Sequence, residues 1–321
     1  MTVPAPAFVA PTPAALDAKR NPLGVGTAQP RLTVELPTGP VVITVEEVTP
    51  ETADHWLKMY NTRNRTLYAD RAEALSRDML LGNFVFNGDT VRFSIHATGD
   101  HKGEVYLSDG QHRLDAIRKS KTAQLCIVVR GLPDDAQETI DTGKSRSFGD
   151  TLRLEGWSNE NHIAAVTRAL LLWERDIIVG LNSGGTAVGL TTKPELRAYL
   201  TEHAEEIRAS MKVVYAATGV GLKFAAPSSR LAMAWALCAR KDPEAADLFI
   251  IENVVQGKRL DDGHPAKALR DRLLRTDVYR PKPAEAFLLT LHAWNIWRDN
   301  RQVTRLQPPR EWPVPSEFTI R

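Results

Sequence analysis

The stretch Val105-Tyr106-Leu107-Ser108-Asp109-Gly110-Gln111-His112-Arg113-Leu114-Asp115-Ala116-Ile117 decides the reading of this chain. Glu104 to Leu107 suits a β-strand that runs straight into Ser108-Asp109-Gly110. A helix then starts near Gln111 and carries Leu114 and Ile117, with Arg118, Lys119 and Lys121 at its far end. Gly110 has no Cβ, so the backbone can turn sharply and approach an anion closely. The first turn of the helix offers amide donors and the positive end of its dipole to that anion. Arg113 adds a planar fork suited to phosphate oxygens. His112 can donate to phosphate or act as acid or base near neutral pH. Gly110, His112 and Arg113 fall within one helical turn and can serve one ligand.

Upstream, Gly39 to Val45 is a short β-branched run and predicts a strand. Thr49 and Pro50 then read as N-cap and first helical residue, with Trp56, Leu57 and Tyr60 following at helical spacing. A second helix is predicted over Tyr68 to Leu81, with Gly82 as its C-cap. Phe84-Val85-Phe86 and Val91 to Ile95 read as two strands joined by an Asn87-Gly88-Asp89 hairpin turn. Downstream, Leu125 to Val129 predicts a further strand. Strand, glycine turn, helix and strand in this order predict an α+β nucleotide-type fold.

The rest of the chain reads as helical. Thr192-Lys193-Pro194-Glu195 makes a capping box, and Leu196, Tyr199, Leu200 and Ile207 follow on one face. Asp242-Pro243 starts another helix that Gly257 ends, Pro265 to Leu274 is a helix, and Ala284 to Trp297 is a long apolar one. We therefore expect a disordered leader over 1–30, a nucleotide-binding domain over 31–155 and a mostly α-helical domain over 156–321.

Asp109-Gly110-Gln111-His112-Arg113 followed by Ala116 resembles the signature of DGQHR-type members of the ParB/sulfiredoxin superfamily, found in phage and mobile-element proteins. In ParB partition proteins the equivalent turn reads Gly-Glu-Arg-Arg and holds CTP phosphates. In sulfiredoxin it reads Gly-Gly-Cys-His-Arg and holds ATP phosphates. Gln111 stands where sulfiredoxin keeps its catalytic cysteine, which argues against sulfiredoxin chemistry. Asn64-Arg65-Thr66-Leu67 resembles the basic first box of ParB-like domains, and Ile140 to Ser147 a later element of the DGQHR-like proteins. The resemblance covers roughly residues 40 to 155. It implies a ParB/sulfiredoxin-like fold binding ATP or CTP, with Mg2+ as companion cation. The phosphates would lie on Gly110, Gln111, His112, Arg113, Arg65, Lys144 and Arg146, with Asp109 and His112 as candidate catalytic groups.

Several tempting motifs fall away. Gly143-Lys144-Ser145 looks like the end of a Walker A loop, but the earlier glycine is missing because position 138 is Glu138. The segment is then either a donor-rich cover for phosphate or DNA, or a turn leading to a helix capped at Ser147 or Asp150. His96, His101 and His112 fit no metal-ligand spacing, and no metal site is expected. Asp109 orients Arg113, positions a cation or caps the helix. Asp115 is expected to pair with Arg118 on the surface. Arg63 and Arg65 suit the nucleotide site or a basic surface, and Arg71 a solvated helix position. Lys267, Arg270, Arg272 and Arg275 form the densest basic cluster of the second half, either a DNA contact or a solvated face.

Composition limits the function classes. The chain is 43% hydrophobic and 25% charged with net charge +2, so any nucleic-acid binding needs a local basic surface. Two cysteines, Cys126 and Cys238, are too few for a disulfide framework and fit a reducing, cytoplasmic setting. Met1 to Pro13 has neither the basic nor the apolar region of a secretory signal. No apolar run reaches the roughly 18 residues of a membrane span. Two functions stay open: a nucleotide-dependent NTPase or phosphotransferase, and a non-catalytic DNA-binding regulator or partition-like clamp. A nuclease fits less well, for want of a carboxylate cluster. The expected partners are a nucleotide, DNA through the helical domain and a second copy in a homodimer, with no membrane.

Overall fold

The computed structural model describes residues 31–64, 66–140, 146–178, 190–221, 224–274, 281–309 and 311–321. The described residues before Arg146 form one compact unit and those from Arg146 to Arg321 a second. The chain is mixed α+β, with every described strand in the first unit.

The first unit runs β1 (Arg31–Leu36), β2 (Gly39–Val48), α1 (Pro50–Tyr60), α2 (Ala69–Leu80), β3 (Thr90–Ile95), β4 (Val105–Asp109), α3 (Gln111–Ser120) and β5 (Gln124–Leu132). The sheet order is β1-β2-β5-β3-β4, antiparallel throughout except for the parallel β3/β5 pair. Val91, Phe93, Leu107, Cys126 and Val128 project from the sheet into one core with Trp56, Met79, Leu114 and Ile117 of the three helices. Helix α3 packs against both α1 and α2. The start of α1 follows its sequence signal: the Thr49 hydroxyl accepts from the Thr52 amide at 3.2 Å, with Pro50 in the first turn.

The second unit is helical: α4 (Phe148–Leu154), α5 (Glu160–Glu174), α6 (Lys193–Glu202), α7 (Ala204–Val220), α8 (Ser228–Ala239), α9 (Pro243–Ala246), α10 (Pro265–Leu274) and α11 (Pro283–Arg298). Its core centres on Trp294, Phe287 and Phe249, with Trp173 edge-on to Phe287 at 5.2 Å. The capping box at Thr192 and Glu195 forms as predicted. So does the one at Ser147 and Asp150, which opens α4.

Three expectations change. Phe84 to Phe86 is not a strand, because both edges of β3 are taken by β4 and β5 and no ladder position is left. The Asn87 turn still forms locally, the Asn87 side-chain Oδ1 accepting from the Asp89 amide at 2.9 Å, but it leads into β3 without closing a hairpin. Residues 146–155, which the sequence reading put with the sheet, pack as α4 against α5 in the helical unit. The helix from Asp242 to Gly257 is α-helical only at α9 and continues as a π-helix over Asp247–Val255. Its buried residues are Phe249, Ile250, Asn253, Val254 and Val255. Lys212 and the Trp235 indole both hold Asp247 at 2.7 Å and fix where it begins. Strand β1 is an addition that the sequence reading did not assign.

Arg270 of α10 closes the π-helix by donating to the Val254 and Val255 carbonyls at 2.5 and 2.6 Å. Gly257, left-handed at φ 73°, makes room for it: a Cβ there would lie 3.1 Å from the guanidinium carbon. Arg270→Ala leaves two carbonyls without these charged donors. It should lower stability by about 1–3 kcal/mol, measured by urea denaturation with tryptophan fluorescence.

Candidate site at the β4–α3 turn

Gly110 ends β4 and caps α3 with φ 104° and ψ 2°, and its carbonyl accepts from the Leu114 amide at 3.0 Å. A Cβ here would meet the Val91 Cα and Cγ2 at 3.2 Å. Glycine is therefore required twice, by the backbone angle and by the seat of the turn on β3. Asp109 accepts from the Gly110 amide at 2.7 Å and lies 3.8 Å from an Arg92 Nη1.

The side chains of the first helical turn are engaged with protein. The His112 Nε2 accepts from the Tyr68 amide at 3.2 Å, and its ring stacks on Tyr68 at 6.1 Å, nearly parallel. Accepting at Nε2 places the neutral ring's proton on Nδ1. Since Tyr68 is the N-cap of α2, His112 ties the start of α3 to the start of α2. The Gln111 Oε1 accepts from the Asn61 Nδ2 at 3.5 Å. Arg113 donates to the Thr90 carbonyl at 2.7 Å and pairs with Asp89 at 2.9 Å, so its fork points to the residues leading into β3.

The loop after α1 is fastened over this turn. Asn64 donates to the Leu107 carbonyl at 2.6 Å and to the Asn61 side chain at 2.6 Å. Together with Asn61–Gln111 and Tyr68–His112, these bonds bring the loop holding the first basic box onto the glycine turn. Arg65 itself and Lys144, with the rest of 141–145, lie outside the described residues. Arg146 is exposed, in the second unit, directly before the Ser147 cap.

Other sequence candidates resolve differently. Asp115 is only 2% exposed, so its pairing with Arg118 at 2.5 Å is a buried one and not the expected surface pair. Lys119 also approaches it at 3.3 Å. Arg118 reaches Asp54 of α1 and Lys119 reaches Glu73 of α2, each at 3.8 Å, and these pairs lace the three helices together. Arg71 is exposed. His96 packs on Tyr106 at 4.3 Å and lies 5.9 Å from His101, which pairs with Glu104, while His112 stacks on Tyr68. Among the described residues no three His, Cys, Asp or Glu side chains cluster to hold a metal. No described helix is long and apolar enough to cross a membrane.

A cluster that sequence reasoning missed stands beside the turn. Asp134, just after β5, accepts from the buried Tyr106 hydroxyl at 2.7 Å and pairs with Arg63 at 2.5 Å, and Arg63 lies over the Tyr106 ring. The Tyr106 hydrogen bond, with Arg63 and His96 nearby, holds the Asp134 carboxyl below the usual range. Pro133-Asp134 after a strand marks a turn, but nothing in the linear pattern pairs it with Tyr106.

The Cys126 thiol of β5 is buried, which pushes its pKa up to about 11 and leaves it a packing group. In the helical unit, Arg270 and Lys267 are engaged by the π-helix carbonyls and by Asp262. Arg275 lies outside the described residues. Sequence reading also missed Arg168 and Arg230, two half-buried guanidiniums on α5 and α8. Burial and then its neighbour Arg168 pull the Arg230 pKa down to about 10. A cleft of about 410 Å³ lies between Trp157, Asn159, Arg208 and Tyr215.

Comparison of the chain with protein-family models, curated proteins and solved structures finds no match.

Replacing Gly110 by Ala should cost about 1–3 kcal/mol of stability from its angle alone, and more from the collision with Val91. Gly99→Ala, at φ 78° with nothing within 4 Å, should cost only about 1–2 kcal/mol. Chemical denaturation of the two variants side by side isolates the contribution of the seat on β3.

Proposed function

We propose that the turn from Asp109 to Arg113 binds the phosphates of a nucleoside triphosphate, ATP or CTP with Mg2+, and that the protein acts as a nucleotide-responsive binding module in a DNA-associated process. The observation that carries this reading is the meeting of two segments. Asn64 and Tyr68 are hydrogen-bonded to the Leu107 carbonyl and to His112, on either side of a left-handed glycine turn at the head of a ten-residue helix. These are the two segments that the resemblance to ParB-like domains assigns to one nucleotide. A helix start of this kind attracts anions.

Binding is favoured over hydrolysis by the state of the candidate catalytic groups. The Nε2 of His112 is used as an acceptor by Tyr68, and Asp109 is turned back on the Gly110 amide. Neither faces a developing charge as a base or acid would. DNA association rests on the resemblance alone: Arg270 is engaged by carbonyls inside the helical unit, and Lys267 pairs at the surface with the exposed Asp262.

Arg113 is the residue that must change partners. Its counter-ion Asp89 is 59% exposed, so that pair is worth only about 0–1 kcal/mol and a phosphate can displace it. Isothermal titration with Mg-ATP and Mg-CTP should give a saturable heat for one of them. Arg113→Ala should weaken binding about tenfold or more through loss of a charged hydrogen bond. Asp89→Asn, which frees the guanidinium, should tighten it. Absence of binding by either nucleotide, or indifference of affinity to both substitutions, removes the proposal. Release of labelled γ-phosphate that His112→Gln abolishes would replace binding by catalysis.

A further inference from the structure

Among the described residues, strand β1 lies at the edge of the sheet and pairs with β2 alone. All six of its residues are exposed, including Leu32 at 58%, Val34 at 39% and Leu36 at 38%. An edge strand of this kind is a template for another chain, and folded proteins blunt such edges with prolines, bulges or like charges. Arg31–Leu36 contains no proline, and its register with β2 is regular from end to end.

The pairing register shows where its side chains stand. Leu32 lies opposite Ile43 and Val34 opposite Val41, and the row through Leu32 and Ile43 continues to Val129 of β5. The apolar residues of β1 thus extend a stripe on the sheet face opposite Cys126 and Val128. Arg31, Thr33 and Glu35 occupy the other face of the strand. These three residues are self-complementary when read antiparallel. With Thr33 opposite its own copy, Arg31 stands opposite Glu35 and Leu32 opposite Val34, each twice.

We propose that two copies of this chain join edge to edge through β1, antiparallel about a two-fold axis at Thr33, so that the two sheets form one. Such a contact is isologous, with each pair repeated by symmetry. Opposite charges and apolar residues directly across an antiparallel pair are the arrangement that stabilises it. The charge pattern selects a second copy as the occupant. The thirty residues that precede β1 contain six prolines, and a segment short of that many N–H donors makes a poor ladder partner.

Sedimentation velocity over a concentration series tests this, with a species of twice the 35.6 kDa chain mass expected. Glu35→Arg sets like charges opposite each other twice and should weaken the dimer about tenfold. The double variant Arg31→Glu with Glu35→Arg restores both pairs and should restore the dimer. Thr33→Cys should cross-link to its own copy under mild oxidation, because opposed residues stand within disulfide reach and both native cysteines are buried. A chain that stays monomeric at every concentration overturns the proposal. So does a dimer that ignores the charge variants and fails to cross-link at Thr33→Cys, or an edge that takes up only an added extended peptide.

Discussion

The first unit depends on one close approach, the backbone of Gly110 resting on Val91. That contact brings the end of β4 onto β3 and launches α3 across the sheet. From α3 the rest follows: Leu114 and Ile117 enter the core, His112 reaches Tyr68 at the head of α2, and Asp115 gathers the cations that tie α1 and α2 in. A side chain at position 110 would lift the turn off β3 and disturb all of these at once. The same geometry that a ligand would use is therefore also the hinge of the packing.

Much of this was legible because it is written locally. The Thr49, Ser147 and Thr192 caps, the glycine turn and the helix over 265–274 each depend on residues within a few positions of one another. What failed depended on distant partners. Phe84-Val85-Phe86 has the composition of a strand, yet β5, some forty residues later, occupies the edge it would need. Asp115 was read as a surface charge because its neighbours in sequence are charged, whereas its burial comes from α1 and α2 on either side. The link of Arg113 to Asp89 and Thr90 likewise depends on a fold that spacing alone does not reveal.

The helical unit shows the same division. Its apolar stripes announce buried helices, and Trp294 lies in the core with Phe287 and Phe249. The basic cluster around Lys267 and Arg270 shows the limit of reading charge from sequence. A guanidinium that looks like a nucleic-acid contact is instead a capping group for carbonyls one element away. Arg168 and Arg230, far apart in the chain, gave no linear signal at all.

The π-helix has a consequence for how this chain can tolerate changes in length. Its wider turn holds one more residue than an α-helix over the same rise. Loss of a single residue between Asp247 and Val255 would let the stretch relax to ordinary α-helical winding. A turn of either kind completes one circle, so the residues beyond the deletion would keep nearly the same faces. Asp247 would stay anchored by Lys212 and Trp235, and the stretch would reach Gln256 along nearly the same path. One codon's worth of shortening is absorbed here, whereas in the neighbouring α-helices it would turn every later residue by about 100°.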